Sequence, residues 1–304
     1  MRKLSLMFPV PPCPDPDKSP ASALSHILGH EGPGSVFAVL QNLGWISSLS
    51  AGLRAQGPDF GLFQVEVNLT PQGEKVWPQV VQVTMEQCRN LREATTSDVA
   101  TLRRLWEEAA KLSQMHFETA SPTGVYDLSP RLSQSILRYG ALRCLSSGSQ
   151  LEESGETLPL CALTEFMKNL TVDNLLVERS SEAAWSEAEK NPNAKLQKEQ
   201  WYGIDFYTEV LGEQVIQDWN LTGVHPELGL PGPNRFIPRT LDLCPDLPEE
   251  ARRGPRIEKE MDPPNLLVEN RMGKLWHRLD DRYAPLKSAL HCLISECQCP
   301  ECVG

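Results

Sequence analysis

The segment of residues 62–69 constrains the fold most, because apolar and polar side chains alternate through it. Alternation places every second side chain on the same face, which predicts a strand with one buried face. Thr70 and Pro71 follow directly. This pair predicts the start of a helix, since threonine caps the first turn and proline fits into it. A strand that passes at once into a helix favours a layered structure of strands and helices around one core.

Apolar periodicity predicts further elements in the first 180 residues. Residues 2–11 partly alternate and predict a strand, which suggests that the chain begins inside a domain. The helix after Thr70 should carry one buried side formed by Val76, Val80, Val83, Gln87 and Leu91. A helix is also expected over 21–43, interrupted by the glycines of 29–34, and further helices are expected from residue 97, over 131–145 and over 160–170. Strands are expected over 45–49 and 174–178, and a loop over 52–60.

Composition excludes several classes of protein. The chain has 304 residues, enough for about two domains. Its net charge of −11 disfavours nucleic-acid binding, which depends on lysine and arginine. No apolar run approaches the ~20 residues of a membrane span, so we expect no membrane partner. The N-terminus lacks the pattern of a secretory signal, which predicts a cytoplasmic location and cysteines that remain thiols.

Two later segments differ from the first part of the chain. Residues 181–200 are polar, which predicts a segment that is mostly linker and has room for a helical turn. Residues 223–264 hold many of the 25 prolines and few periodic apolar residues, which predicts an extended connecting segment.

The histidines of HILGHE, His26 and His30, are the first candidates for chemistry, because a spacing of four places both on one helical face. Two of the zinc-protease patterns fail here. The pattern H-E-x-x-H would need a histidine at Gly34, and H-x-x-E-H would need a glutamate at Gly29. We therefore interpret His26 and His30 as structural or binding residues in preference to metal ligands. The sequence also lacks G-x-S-x-G, P-loop and G-x-G-x-x-G motifs.

The C-terminal tail concentrates thiols at Cys292, Cys297, Cys299 and Cys302. Four thiols so close together could hold zinc, but their spacing is not that of a standard zinc module. The alternative is an altered tail that binds no metal, and we favour it.

The segment from His26 to Gly52, HILGHEGPGSVFAVLQNLGWISSLSAG, resembles the second domain of the insulinase (pitrilysin-like) family of zinc metalloendopeptidases. Further similar segments follow the family order over about residues 1–290: KLSLMFPVP, FQVEVNLTPQG, EQWYGIDF, LGLPGPNRFIP and MGKLWHRLDDRYAPLK. The resemblance implies an α+β fold, with a mainly antiparallel sheet backed by helices, then an extended connector and an incomplete second domain of the same kind.

The resemblance also implies a domain organisation. Residues 1–180 would form the second insulinase-type domain without its first strand, and residues 181–245 the connector. Residues 246–290 would begin the third (middle) domain, and residues 291–304 form a divergent cysteine-rich tail.

No H-x-x-E-H pattern occurs in these 304 residues, and the resemblance implies that the family's zinc site would lie in a first domain ahead of the region matched here. The resemblance therefore implies a non-catalytic chain with no catalytic residue and no metal ligand of its own, inactive alone, with zinc held by the full family enzyme. Its partners would be peptide substrates and the remaining catalytic domains. The alternative is a stand-alone peptide-binding protein, or a subunit that pairs with a separate catalytic chain.

The covered region corresponds to the family's exosite, which anchors the N-terminal end of a peptide, partly by strand addition. The residues carried over by match are His26, Gly29, Glu31 and Leu49. A carboxylate such as Glu31 can pair with an α-amino group, and glycine permits close backbone approach. Where the family commonly has Gly-Gly, this chain has Ala51-Gly52, and we expect the added methyl group to narrow the groove.

Overall fold

A four-stranded antiparallel sheet organises the first part of the chain. The structure is a computed structural model that describes residues 2–12, 20–57, 59–120, 123–146, 160–221, 225–238, 265–270 and 273–277. The strands lie in the order β2-β3-β1-β4. Their bounds are β1 Lys3–Val10, β2 Ile46–Gln56, β3 Gly61–Leu69 and β4 Leu176–Ser180. The α+β prediction with a mainly antiparallel sheet is confirmed.

The two faces of the sheet differ in chemistry. Leu4, Leu6 and Phe8 of β1 are fully buried and lie opposite apolar residues of β3. Most of the alternating positions are polar, although Met7 and Leu62 also lie among them. Gln64 donates to Glu66 at 3.1 Å, and Lys3 pairs with Glu66 at 2.7 Å. The alternation in the sequence therefore separates a face that joins the core from a face that does not.

Nine helices lie in the described residues. They are α1 Pro20–Leu28, α2 Val36–Asn42, α3 Pro71–Lys75, α4 Trp77–Ser97, α5 Val99–Thr119, α6 Val125–Tyr139, α7 Leu160–Met167, α8 Glu182–Lys190 and α9 Glu213–Trp219. The interruption of the first predicted helix is confirmed. Each of the segments predicted over 131–145, 160–170 and 174–178 contains an element of the expected type. Helix α6 begins six residues earlier than predicted, α7 begins as predicted and ends three residues earlier, and β4 begins two residues later.

The junction from β3 to α3 forms as the sequence predicts. The Thr70 hydroxyl accepts the Gly73 N–H at 3.0 Å and donates to the Gly44 carbonyl at 2.7 Å. A β-carbon on Gly73 would lie 1.8 Å from the Trp45 carbonyl oxygen, so this turn requires glycine. The predicted single helix is divided at Val76, because Pro78 has no N–H to continue the ladder and therefore suits only a new first turn.

Two sequence predictions are wrong. Residues 52–56 continue β2 and are not loop. Residues 181–200 are not a linker: Ser181 caps α8, and β5 (Lys195–Lys198) pairs with β6 (Asp205–Thr208). The sequence suggested no more than a helical turn where α8 has nine residues, because two small residues, Ala184 and Ala188, form its buried side and give little apolar signal.

The chain divides into two compact units. The first contains residues 1–114 and 135–235, including the four-stranded sheet. The second contains residues 115–134 and 236–304. Within the second unit, β7 (Asn265–Asn270) pairs antiparallel with β8 (Gly273–His277). The tail with Cys292, Cys297, Cys299 and Cys302 lies outside the described residues.

Candidate functional site

The C-terminal end of α1 lies against strand β2. The Gly29 N–H donates to the Ser25 carbonyl at 2.9 Å, which closes the last turn. A β-carbon on Gly29 would lie 3.8 Å from the Ala51 nitrogen, and one on Gly52 would lie 3.5 Å from the Ser25 hydroxyl. These are ordinary van der Waals distances, so the helix end lies in contact with β2. The tight contact at Gly29 is within its own helix, where a β-carbon would lie 2.8 Å from the Ser25 carbonyl oxygen.

The loop of residues 29–34 links α1 to α2 and has its own internal support. His30 Nδ1 accepts the Gly32 N–H at 3.0 Å, and the Ser35 N–H donates to the Gly32 carbonyl at 3.1 Å. Gly34 has φ of +84°, in the left-handed region that favours glycine. Glu31 is exposed on this loop.

His26 is partly buried beside His30, with the two rings edge to face and their centroids 6.5 Å apart. Burial lowers the pKa of His26, the nearby His30 lowers it further, and the carboxylate of Glu108 opposes both. His26 is therefore neutral at pH 7 and offers one hydrogen-bond donor and one acceptor in place of a positive charge.

Leu49 differs from the other candidates, because its side chain is only 8% exposed and packs in the core. Only its main chain is available to a ligand. Strand β2 lies at one edge of the sheet and, within the described residues, pairs only with β3. Ala51 also packs against the core, so its methyl group lies among apolar side chains.

The structure thus places Gly29 against the main chain of β2, His26 one turn earlier on α1, and Glu31 on the adjoining exposed loop. The donor set does not fit a zinc ion. In the part of the chain that the structure describes, no three His, Cys, Asp or Glu side chains are grouped to hold a metal, and His30 Nδ1 already accepts a backbone N–H.

Sequence reasoning missed a set of polar contacts behind this site. Gln87 of α4 is buried and donates through Nε2 to the Gly229 carbonyl at 2.9 Å. The Gly229 N–H in turn donates to the Gly34 carbonyl at 3.0 Å. One signal was present: Gln87 is a polar residue within an otherwise apolar helical side.

The comparisons with known proteins agree with this fold. Residues 1–105 match the family described as the peptidase M16 inactive domain, and residues 123–301 match the middle or third domain of peptidase M16. The chain is 25% identical over 274 residues to the insulin-degrading enzyme of Homo sapiens, covering 90% of this chain and 24% of that protein. It is 26% identical over 293 residues to the A-factor-processing enzyme of Saccharomyces cerevisiae, covering 93% and 25%.

A solved structure of pitrilysin matches with a TM-score of 0.68 at 20% identity, over 90% of this chain and 26% of that one. The chain therefore spans about a quarter of the length of the relatives it matches. None of the helices in the described residues combines the length and apolar character that a membrane span needs.

Proposed function

The chain belongs to the peptidase M16 family of zinc proteases, whose inactive and middle domains it matches, and we propose that it anchors peptide substrates for such a protease without cleaving them. The site at the end of α1 binds the N-terminal part of a peptide. The zinc chemistry is supplied by catalytic domains or by a separate catalytic chain.

One observation carries this proposal: a glycine-bearing helix end and an edge strand lie side by side. Gly29 approaches the main chain of β2 at Ala51, and β2 has 11 residues with one side unpaired in the described part of the chain. An extended peptide that adds to such an edge gains main-chain hydrogen bonds, which do not depend on its side chains. Anchoring of this kind accepts many peptide sequences.

Charge gives the anchoring a direction. Glu31 is exposed on the loop beside β2 and offers a carboxylate to a peptide α-amino group. The neutral imidazole of His26 adds hydrogen bonding without competing for the same charge. A peptide therefore binds with its N-terminus at the loop.

The test measures binding of oxidised insulin B chain, labelled at its C-terminus, to the full 304-residue chain. This peptide is chosen because one relative is named for insulin. We expect N-terminal acetylation of the peptide and Glu31→Gln in the protein each to weaken binding by about two- to fivefold, as for one exposed charge pair. When both changes are made together, binding should be no weaker than with either change alone, because both remove the same charge pair.

Glu93→Gln is the matched control, since Glu93 is an exposed carboxylate on α4. It should leave the Kd unchanged. Mass spectrometry of the same mixture with added zinc should detect no cleavage. A wild-type chain that does not bind the peptide, or one that cleaves it, would overturn the proposal.

A second candidate is a subunit that associates with a separate catalytic chain. It is favoured by the exposed aromatic residues of the β5–β6 hairpin, where Trp201 is 82% exposed and Tyr202 is 86% exposed. Native and denaturing electrophoresis of the protein from its source cells distinguish the two candidates. A 33.9 kDa polypeptide within a larger native complex supports the second candidate, and a single polypeptide of several times that mass supports the first.

A further inference from the structure

Residues 225–234, called here the strap, run along α4 and α5 without forming helix or strand. Side chains of the two helices hold the strap by its main chain. The Glu86 carboxylate accepts the His225 N–H at 3.1 Å, and the Glu108 carboxylate accepts the Asn234 N–H at 3.3 Å. Arg104 donates to the Pro231 carbonyl between these two points. Because the contacts involve main-chain atoms, they fix the path of the strap and depend little on its side chains.

The strap also contacts the loop that carries Glu31. Gly229 is bonded on both sides: its carbonyl accepts from Gln87, and its N–H donates to the Gly34 carbonyl. A β-carbon on Gly34 would lie 3.6 Å from the Gly229 nitrogen. Gln87 therefore reaches the loop through a single intervening residue.

Gln87 is an unusual choice for its position. It is 1% exposed, and in the described residues its Oε1 has no hydrogen-bond partner. A buried amide with one unpaired oxygen stabilises a fold less than an apolar side chain of the same size would. Its Nε2 bond to Gly229 is the contact that an apolar residue would lose.

Glu108 provides a second connection between the strap and the site. Its carboxylate binds the Asn234 N–H, pairs with Arg104 at 3.0 Å, and interacts electrostatically with His26. The strap is thus hydrogen-bonded to the loop, and the carboxylate that holds its far end also acts on the charge of His26 near the end of α1.

We infer that Gln87 is a positioning residue, which holds the loop of residues 29–34 in its peptide-binding geometry through Gly229. This inference rests on the proposed anchoring function. It assigns to α4 and the strap a part in peptide affinity although neither touches the peptide.

The test compares Gln87→Met with Gln82→Met. Both glutamines lie on α4 and donate through Nε2 to main-chain carbonyls later in the chain, Gln87 to Gly229 and Gln82 to Asp218 at 2.8 Å. Only the bond from Gln87 leads to the loop. We expect Gln87→Met to weaken binding of the labelled insulin B chain by about fivefold, the effect of one hydrogen bond, and Gln82→Met to leave it within about twofold.

Hydrogen exchange supplies a readout that needs no peptide. The Ser35 amide, which donates to Gly32, should exchange faster in Gln87→Met and at the wild-type rate in Gln82→Met. The midpoint of thermal unfolding should move little in Gln87→Met, because methionine also removes the unpaired Oε1. A purely structural role would lower that midpoint and leave the Kd unchanged, and this result would overturn the inference.

Gly229 provides a second pair of variants. Gly229→Pro removes the N–H that binds Gly34, whereas Gly229→Ala keeps it. Among the described residues, no atom beyond the two chain neighbours of Gly229 lies within 4 Å of the added methyl group. The proline variant should reproduce the loss of affinity, and the alanine variant should not.

The failures of the two proposals can be told apart. If the wild-type chain binds no peptide, the anchoring proposal fails. Unchanged exchange of the Ser35 amide in Gln87→Met would overturn the positioning role by itself.

Discussion

The four-stranded sheet and the β5–β6 hairpin are both antiparallel and both carry aromatic residues, but these residues are buried to different extents. Phe8 and Phe63 in the sheet are fully buried, whereas Trp201 and Tyr202 in the hairpin are almost fully exposed. The sheet has helices packed on its apolar face. The hairpin contacts α8, where Trp185 lies 6.5 Å from the Tyr207 ring. Whether an aromatic side chain is buried therefore depends on whether helices cover its strand, and the composition of the strand does not decide it.

The turn of the hairpin is stabilised by local hydrogen bonds and not by burial in a hydrophobic core. The Glu199 carboxylate accepts the N–H groups of Tyr202 at 2.5 Å and of Trp201 at 2.8 Å, and these bonds lower the pKa of Glu199. The Glu199 N–H also donates to the Ile204 carbonyl at 2.8 Å. The exposed aromatic residues are thus held in a defined turn, which suits a contact surface better than a flexible loop would.

The largest effect is expected in the sheet. Phe63→Ala should lower the free energy of unfolding by about 3–5 kcal/mol, because it removes a fully buried ring that packs edge to face on Phe166 at 5.6 Å. Urea denaturation followed by circular dichroism measures this change. A loss below about 1 kcal/mol would mean that the sheet is no better packed than the hairpin.

The reactivity of the cysteine thiols should differ between the core and the surface in the same way. Burial raises the pKa of the Cys88 thiol to about 12, whereas Cys161 is exposed. At pH 8 the native Cys88 should react with iodoacetamide on the order of 10³-fold more slowly than an ordinary thiol. Peptide mapping by mass spectrometry follows Cys88 and Cys161 in one sample. Equal labelling of the two in the native chain would contradict the buried assignment, and equal labelling in urea is the control.

An intermediate effect is expected where β3 passes into α3. Thr70→Ala should cost about 1 kcal/mol of unfolding free energy, because it removes the cap of α3. Thr171 precedes a short 3-10 turn and makes no capping hydrogen bond, so Thr171→Ala is the matched control. Similar losses in both variants would show that the Thr70 hydroxyl does not stabilise the junction.

The smallest effect is expected in the hairpin. Trp201→Ala should change the unfolding free energy by no more than about 0.5 kcal/mol, since its ring is exposed. The same substitution at Trp106, which is 4% exposed, should cost about 3–5 kcal/mol. A large loss of unfolding free energy in Trp201→Ala would contradict the difference between the two regions, because it would show that the hairpin is packed as firmly as the sheet.

Much of the fold could be predicted because its signals are local. The alternation in β3, the Thr70–Pro71 helix start and the glycine interruption after α1 each depend on neighbouring residues, and the structure contains all three. Predictions failed where the local signal was weak. Helix α8 has only alanines on its buried side, and β2 continues through a segment whose glycine, arginine and glutamine predict a turn.

The candidate site divides in the same way. Its residues His26, Gly29, Glu31 and Leu49 were named from the sequence, and their roles as peptide contacts remain predictions. The inward direction of the Leu49 side chain and the contact of Gln87 with Gly229 became visible only in the structure.

The residues alone are enough to infer the family and the main strands and helices, and to show that His26 and His30 do not match two of the zinc-protease patterns. Periodicity and capping are properties of adjacent residues, so they can be read directly. The return of the strap to α4 and α5, where Gln87 binds the main chain of a residue 142 positions away, is visible only in the folded chain. Such contacts depend on where the chain folds back. Every residue has a main-chain carbonyl, so the residue type does not indicate which carbonyl will accept a hydrogen bond from a distant side chain.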